Sequence, residues 1–349
     1  MSASRPSRQR RAMACTAFLG AAAIAVSGCG SDNGATNSAT NSNSNCGSGS
    51  LAGGGSTFQL NIQQQWSADY RQQCSDAQVN YNPIGSGAGI QQFGAGTLEF
   101  AGSDVPMLPD EQQAADKRCG GKAITFPVTS GGIAVIYNLT DVPHLNLSAT
   151  TLAGIFQGSI KHWNDAAIKS DNPGVKLPST SVVTYHRADG SGTTAVFSAF
   201  EKSKAGKAWT LGSDKELSWP TGQGATGSDG VVQGVKSTNG GITYAEVSYA
   251  TANSLPTAAV SVKDNDYVSL TSDTVSRAIA SKGLNGYPLS TVSYVIVCSH
   301  YSDSRTAAAV KDYLGYALDA GQDAAEQLGY APLPSAIVTK ARAALDSVS

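Results

Sequence analysis

The sequence predicts an α/β protein with chain enough for about two globular bodies. Its 349 residues are 41% hydrophobic with a formal charge of -2, an ordinary globular composition whose length suits roughly two domains of 100 to 200 residues. Short runs rich in Val, Ile, Tyr and Thr alternate with stretches of helical apolar spacing, the pattern of strands layered with helices. No segment repeats at a fixed period, which sets aside solenoids and propellers.

The first thirty residues read as an address. Arg5, Arg8, Arg10 and Arg11 form a basic start, and AMACTAFLGAAAIAVSG follows as a small apolar stretch, too weakly hydrophobic for a permanent span. Residues 1–28 are therefore expected to be a secretory signal. The residues after Arg10-Arg11 do not fit a twin-arginine signal, which favours the general secretory route. VSGC (26–29) resembles a bacterial lipobox, which would leave Cys29 carrying lipid, palmitate included; plain cleavage with Cys29 as a stray thiol is the alternative. GSDNGATNSATNSNSNCGSGS (30–50) has almost no large apolar residue and cannot offset its ordering entropy by burial. Residues 29–50 are expected to be a disordered tether holding a folded body off the membrane surface.

Strands are expected in AQVNYNPI (77–84), AITFPV (123–128), GIAVIYNL (132–139), SVVTYHR (181–187) and STVSYVIVCSHY (290–301). Helices are expected over 58–70, 148–158 and 304–321; in the last, Val310, Tyr313, Leu314 and Ala317 recur at helical spacing.

Four turns rich in glycine and hydroxyls punctuate this pattern: AGGGSTF (52–58), IGSGAGI (84–90), AGSDVPM (101–107) and RADGSGTT (187–194). Three stand just before a helical stretch, where unpaired N-H groups and the positive end of the helix dipole favour an anion. Ser or Thr there can simply cap the helix. Four such turns, one with a fixed Arg and one with an Asp, argue for more than capping.

Several function classes drop out. Lys and Arg form no basic stripe in the body of the chain, so a nucleic-acid partner is not expected. GSGAG lacks the Lys-Ser/Thr ending of a P-loop, and Ile90 falls where a dinucleotide fingerprint needs its last glycine. No serine of these turns sits in G-x-S-x-G, and His186, five residues before Ser191, is poorly placed as its base. His144, His162, His186 and His300 are scattered and no cysteines have C-x-x-C spacing, so no metal site or cofactor is expected. Of six cysteines, Cys15 leaves with the signal and Cys29 takes the lipid; Cys46, Cys74, Cys119 and Cys298 remain for disulfides in an oxidising compartment. Four cysteines allow three connectivities, and spacing does not choose among them.

The succession GGGSTF, IGSGAGIQQF, FAGSDVPM, FPVTSGGIAVIYNL, LAGIFQGSIKHWND and RADGSGTTAVF resembles the phosphate-binding receptors of ABC transporters, the PstS family. GSDGV (227–231), GGITYAE (240–246) and YAPLP (330–334) extend the likeness in order to the end of the chain. It looks most like the lipoprotein forms of Gram-positive bacteria of high GC content. The resemblance implies a two-domain periplasmic-binding-protein fold of type II, closing like a flytrap on two crossover strands. It implies a discontinuous first domain over 51–128 and 288–349, with the second over 129–287. Under that plan a Cys119–Cys298 bridge, leaving Cys46 with Cys74, would link the two halves of the first domain.

Carried over residue by residue, the resemblance assigns phosphate contacts to Thr57, the Phe58 N-H, Ser86, Asp104, Arg187, Ser191, Gly192 and Thr193. Ser56 and Asp189 would support them from behind, Asp189 by orienting Arg187. Family members often carry Pro after the Phe, where this chain has Gln59. The implied protein is no enzyme: a monomer, lipid-anchored outside the plasma membrane, passing inorganic phosphate to the permease and ATPase subunits of an importer. A receptor for another tetrahedral oxyanion, or a phosphatase of related fold, is the alternative.

Overall fold

A computed structural model describes residue 46 and residues 49–263, 266–280 and 286–349. The expected signal, Cys29 and nearly all of the expected tether lie outside the described residues. The strands are β1 (Gly49–Gly55), β2 (Ala77–Asn82), β3 (Phe100–Ser103), β4 (Ala123–Asn138), β5 (Asn146–Leu147), β6 (Val183–Arg187), β7 (Gln223–Ala225), β8 (Gly241–Glu246), β9 (Thr257–Lys263), β10 (Asp266–Val268) and β11 (Ser290–Cys298). The helices are α1 (Leu60–Gln73), α2 (Ser86–Gly94), α3 (Pro109–Cys119), α4 (Ala149–Phe156), α5 (Ala166–Asp171), α6 (Gly192–Lys204), α7 (Gly227–Ser237), α8 (Val247–Asn253), α9 (Ser272–Ala280), α10 (Ser304–Leu318), α11 (Asp323–Gln327) and α12 (Ser335–Asp346).

The strands run in the order β2-β1-β3-β11-β4-β8-β6-β7, with β9 also on β4 and β5 and β10 on β9. β1 pairs in parallel with β2 and β3, and β6 in parallel with β7 and β8. Between these parallel groups lie the long antiparallel strands β11 and β4. Ala123–Gly132 of β4 pairs with β11, and Ile133–Asn138 pairs with β8. One strand thus belongs to both halves of the sheet. Two strands, 123–128 and 132–139, were expected here; the backbone instead stays extended between them and changes partner. The switch falls where Ser290 faces Gly132 and the Ile133 N-H donates to the Leu289 carbonyl, 2.8 Å away.

Elsewhere the expected elements appear with shifted ends. The helix expected at 58 opens as a 3-10 turn, Thr57–Gln59, before α1. The helix expected at 148 starts one residue later because Ser148 caps it, accepting from the Thr151 N-H. β1 begins at Gly49, just inside the expected tether. Cys46 is joined to Cys74 and Cys119 to Cys298. The second bridge ties the end of α3 to the end of β11.

The core is aromatic and continuous across the layers. Trp66, Phe93, Phe100 and Tyr313 are fully buried around α1, α2, β3 and α10, and Tyr137, Phe156, Trp163, Phe197 and Tyr244 around β4, α4, α6 and β8. Burying each such ring removes roughly 150–250 Å² from water. The backbone packs closely where the strand ends meet: Gly55 has φ 132°, and a Cβ there would lie 2.2 Å from the Gly102 carbonyl oxygen, so only glycine fits. That tight crossing carries the loops after β1 and β3 to one point. Among the described residues, no helix is long and apolar enough to cross a membrane.

Candidate oxyanion-binding site

The four turns singled out in the sequence meet at the ends of the central strands. The loop after β1 brings Ser56, Thr57 and Phe58. Ser86 opens α2, Asp104 follows β3, Arg187 ends β6, and Ser191 caps α6. All of these, with Thr193, are buried.

Arg187 is the fixed charge. Its Nε donates to Asp189 Oδ1 at 2.7 Å and its Nη2 to Asp189 Oδ2, while Nη1 donates to Thr57 Oγ1 at 2.9 Å and to Ser228 Oγ at 3.3 Å. All three guanidinium nitrogens are thereby engaged, and the planar fork is held in place. Asp189 also accepts from the Gly227 N-H at 3.0 Å. Burial pushes Asp189 up, but the hydrogen bonds and charge of Arg187 outweigh it and hold the carboxyl below its ordinary range. Arg187 therefore carries a partner that keeps it aimed.

α6 presents its N-terminus to the same place. Ser191 Oγ accepts from the Thr194 N-H at 3.1 Å, a regular cap. The first-turn amides of Gly192 and Thr193 lie beyond reach of any helix carbonyl. Thr193 Oγ1 is buried with no hydrogen-bond partner. An unpartnered buried hydroxyl costs about 1–3 kcal/mol, which a ligand oxygen would relieve.

Asp104 faces this wall. Its Oδ1 accepts from Ser56 Oγ and from Ser293 Oγ, both at 2.6 Å, and its Oδ2 has Ser86 Oγ at 3.5 Å. A Cβ on Gly192 would lie 2.6 Å from Asp104 Oδ2 and 2.4 Å from Ser86 Oγ. The first turn of α6 thus abuts the Asp104 carboxylate, and a side chain at residue 192 would displace Asp104 or Ser86. Burial raises the Asp104 pKa, opposed by the hydrogen bonds of Ser293 and Ser56, the charge of Arg187 and the Ser86 hydroxyl. Asp104 and Arg187, 83 positions apart by residue number, are brought to one site.

The turns on the two sides also touch directly. Thr57 Oγ1 and Ser228 Oγ are 2.8 Å apart, the Gly87 N-H donates to the Gly190 carbonyl at 2.8 Å, and Lys215 pairs with Glu111. The Phe58 N-H, at the same loop, donates to Ser56 Oγ at 3.1 Å. Two further residues join the site that sequence reasoning did not assign. Ser228 stands in the first turn of α7, and GSDGV shows the same glycine-hydroxyl pattern before a helix that marked the other turns. Ser293 lies inside β11, where no local signal separates it from any other strand serine. Among the described residues, no group of three or more His, Cys, Asp and Glu could hold a metal ion.

The fold defines a class, the solute-binding proteins. A PBP superfamily domain profile matches residues 40–320. Phosphate-binding protein PstS 3 of Mycobacterium tuberculosis is 36% identical, over 96% of this chain and 98% of its own length. PstS of Pasteurella multocida is 33% identical, over 84% and 89%. The structure of a putative phosphate ABC transporter substrate-binding protein from Clostridium perfringens, with bound phosphate, superposes with a TM-score of 0.63 at 20% identity, covering 82% of this chain and all of that one. The chain belongs to the PstS family of phosphate-binding proteins, and its fold is the two-domain periplasmic-binding-protein fold.

Proposed function

We propose that this protein is an exported receptor that captures inorganic phosphate between its two domains and hands it to the membrane permease of an ABC importer, with no chemical step of its own. The observation that carries the reading is the pairing, in one buried site, of a locked guanidinium with an acceptor-only carboxylate. Arg187 and the α6 N-terminus attract a tetrahedral oxyanion. Asp104 selects one that still carries a proton: phosphate near neutral pH can donate an O-H to the carboxylate, a strong, charge-assisted hydrogen bond. Sulfate has no such proton and would set a bare anionic oxygen against a buried carboxylate, at a cost on the order of several kcal/mol.

Thr57, Ser86, Ser191, Gly192 and Thr193 complete the donor set, with Phe58 sharing its N-H, and Ser56 and Asp189 support from behind. Residues 51–128 with 288–349 and residues 129–287 are the two bodies that close, and β4 is one of the strands on which they turn. Cys29 anchors the monomer by lipid to the outer face of the plasma membrane.

Calorimetric titration of the mature domain with phosphate, sulfate and molybdate tests the reading. Phosphate is expected to bind far more tightly than either competitor, and Arg187→Ala to weaken it at least tenfold, about 1.4 kcal/mol. Sulfate binding as tightly as phosphate would overturn the role of Asp104. Unchanged phosphate affinity in Arg187→Ala would move the site elsewhere, and hydrolysis of a phosphomonoester would overturn the receptor reading.

A further inference from the structure

We infer that Gln59 and Ser293 are positioning residues for oxyanion selectivity, forming a one-directional hydrogen-bond chain that ends on Asp104 and reserves its other oxygen for the ligand's proton. The inference rests on the proposed phosphate role of Asp104 and concerns how that role is enforced.

The direction of the chain follows from one carbonyl. Gln59 Nε2 lies 2.8 Å from the Tyr294 carbonyl and 2.7 Å from Ser293 Oγ. A carbonyl only accepts, so the amide must turn its NH₂ group that way, and its second N-H is spent on Ser293. The Ser293 hydroxyl, now an acceptor from Gln59, has its single proton left for Asp104 Oδ1 at 2.6 Å rather than for the Ser103 carbonyl at 3.3 Å. Behind Gln59 the order continues: Gln63 Nε2 donates to Gln59 Oε1 at 2.9 Å, and the Tyr313 hydroxyl donates to Gln63 Oε1 at 2.6 Å. Burial raises the Tyr313 pKa, so the phenol keeps the proton it donates.

Every donor in the run Tyr313, Gln63, Gln59, Ser293 thus points toward Asp104. With Ser56 donating to the same Oδ1, that oxygen already receives two hydroxyl bonds, and the carboxylate is held as an acceptor although it is buried. Oδ2, with only the long Ser86 contact, is the oxygen turned to the α6 wall. The chain is built from the 3-10 turn Thr57–Gln59, α1, α10 and β11 behind β3, so it is set by the fold itself.

The test compares Ser293→Ala, Ser293→Thr and Gln59→Leu with the unaltered mature protein, titrating phosphate and sulfate from pH 5 to 8 and recording thermal unfolding. In Ser293→Ala and Gln59→Leu the phosphate-to-sulfate affinity ratio is expected to fall at least tenfold. It is expected to fall further as pH drops, because a carboxyl that has lost a donor takes up a proton at higher pH and can then donate to sulfate. Ser293→Thr, which keeps the hydroxyl, is expected to retain the ratio. A ratio and pH profile unchanged in Ser293→Ala would overturn the inference, whatever happens to the unfolding midpoint, and decides alone if Gln59→Leu does not fold. Failure of the unaltered protein to prefer phosphate would instead reject the proposed function.

Discussion

Glu201 lies fully buried in α6, and neither of its carboxylate oxygens has a hydrogen-bond partner. Glu246, equally buried at the end of β8, accepts from the Ser248 N-H at 3.0 Å and from the Ser248 hydroxyl, yet burial still pushes it up to about 8. With no such help, Glu201 is pushed well above the ordinary value of 4.5 by burial alone. Burial without a partner thus favours its protonated form. The unfolded chain releases this proton from about pH 4.5 upward while the folded chain holds it, so stability falls as pH rises toward the folded pKa, by up to about 1.4 kcal/mol per pH unit. Glu201→Leu keeps the volume and removes the penalty. Chemical unfolding at pH 5, 6.5 and 8 is expected to show a gain over the unaltered protein that grows with pH; a gain flat across that range would mean Glu201 ionises freely in the fold.

α7 illustrates how an element outside the predicted set completes the site. Its first turn delivers Ser228 to Thr57 and Arg187, and its Gly227 N-H to Asp189. Ser228 is thus the hydroxyl that joins the guanidinium to the loop after β1. Ser228→Ala is expected to weaken phosphate roughly threefold to tenfold, about 0.7–1.4 kcal/mol, with little change in unfolding midpoint. Titration showing no change would make the contact a packing detail. The other helix starts were legible because glycine, a hydroxyl and a following apolar run are a local signature, and Arg187 and Asp104 stood out as charges inside such turns. Ser228 shared the signature in GSDGV, but that stretch entered only as part of the family likeness and not as one of the four turns. Gln59 and Ser293 had no local signature at all, since their roles arise only when β11 pairs with β3, Tyr294 opposite Ser103, and with β4, Ser293 opposite Thr129, far apart in sequence. β4 was misread for a related reason: Ser130, Gly131 and Gly132 have turn chemistry, and only pairing with a distant strand keeps them extended.

At the scale of the whole molecule, β11 pairs with β3 and with the first part of β4, so that end of the sheet is assembled from segments far apart in sequence. The Cys119–Cys298 bridge, with a sequence separation of 179, closes the loop containing everything between; Cys46–Cys74, with a separation of 28, closes only β1 and α1. If disulfides act mainly by restricting the unfolded chain, the longer loop is worth about 5 kcal/mol and the shorter about 3.5 kcal/mol, before any native-state strain. Replacing Cys119 and Cys298 together by serine is therefore expected to lower stability more than replacing Cys46 and Cys74, by about 1.5 kcal/mol. Neither pair contacts Asp104, Arg187 or the α6 N-terminus, so phosphate affinity of the folded double variants should stay within threefold of the unaltered protein. Denaturant unfolding and titration of the same samples separate the two effects. Greater damage from losing the short-loop bridge would show that local packing outweighs the chain restriction. Loss of affinity on removing Cys119–Cys298 would show that the return of β11 behind Asp104, and with it Ser293, depends on the bridge.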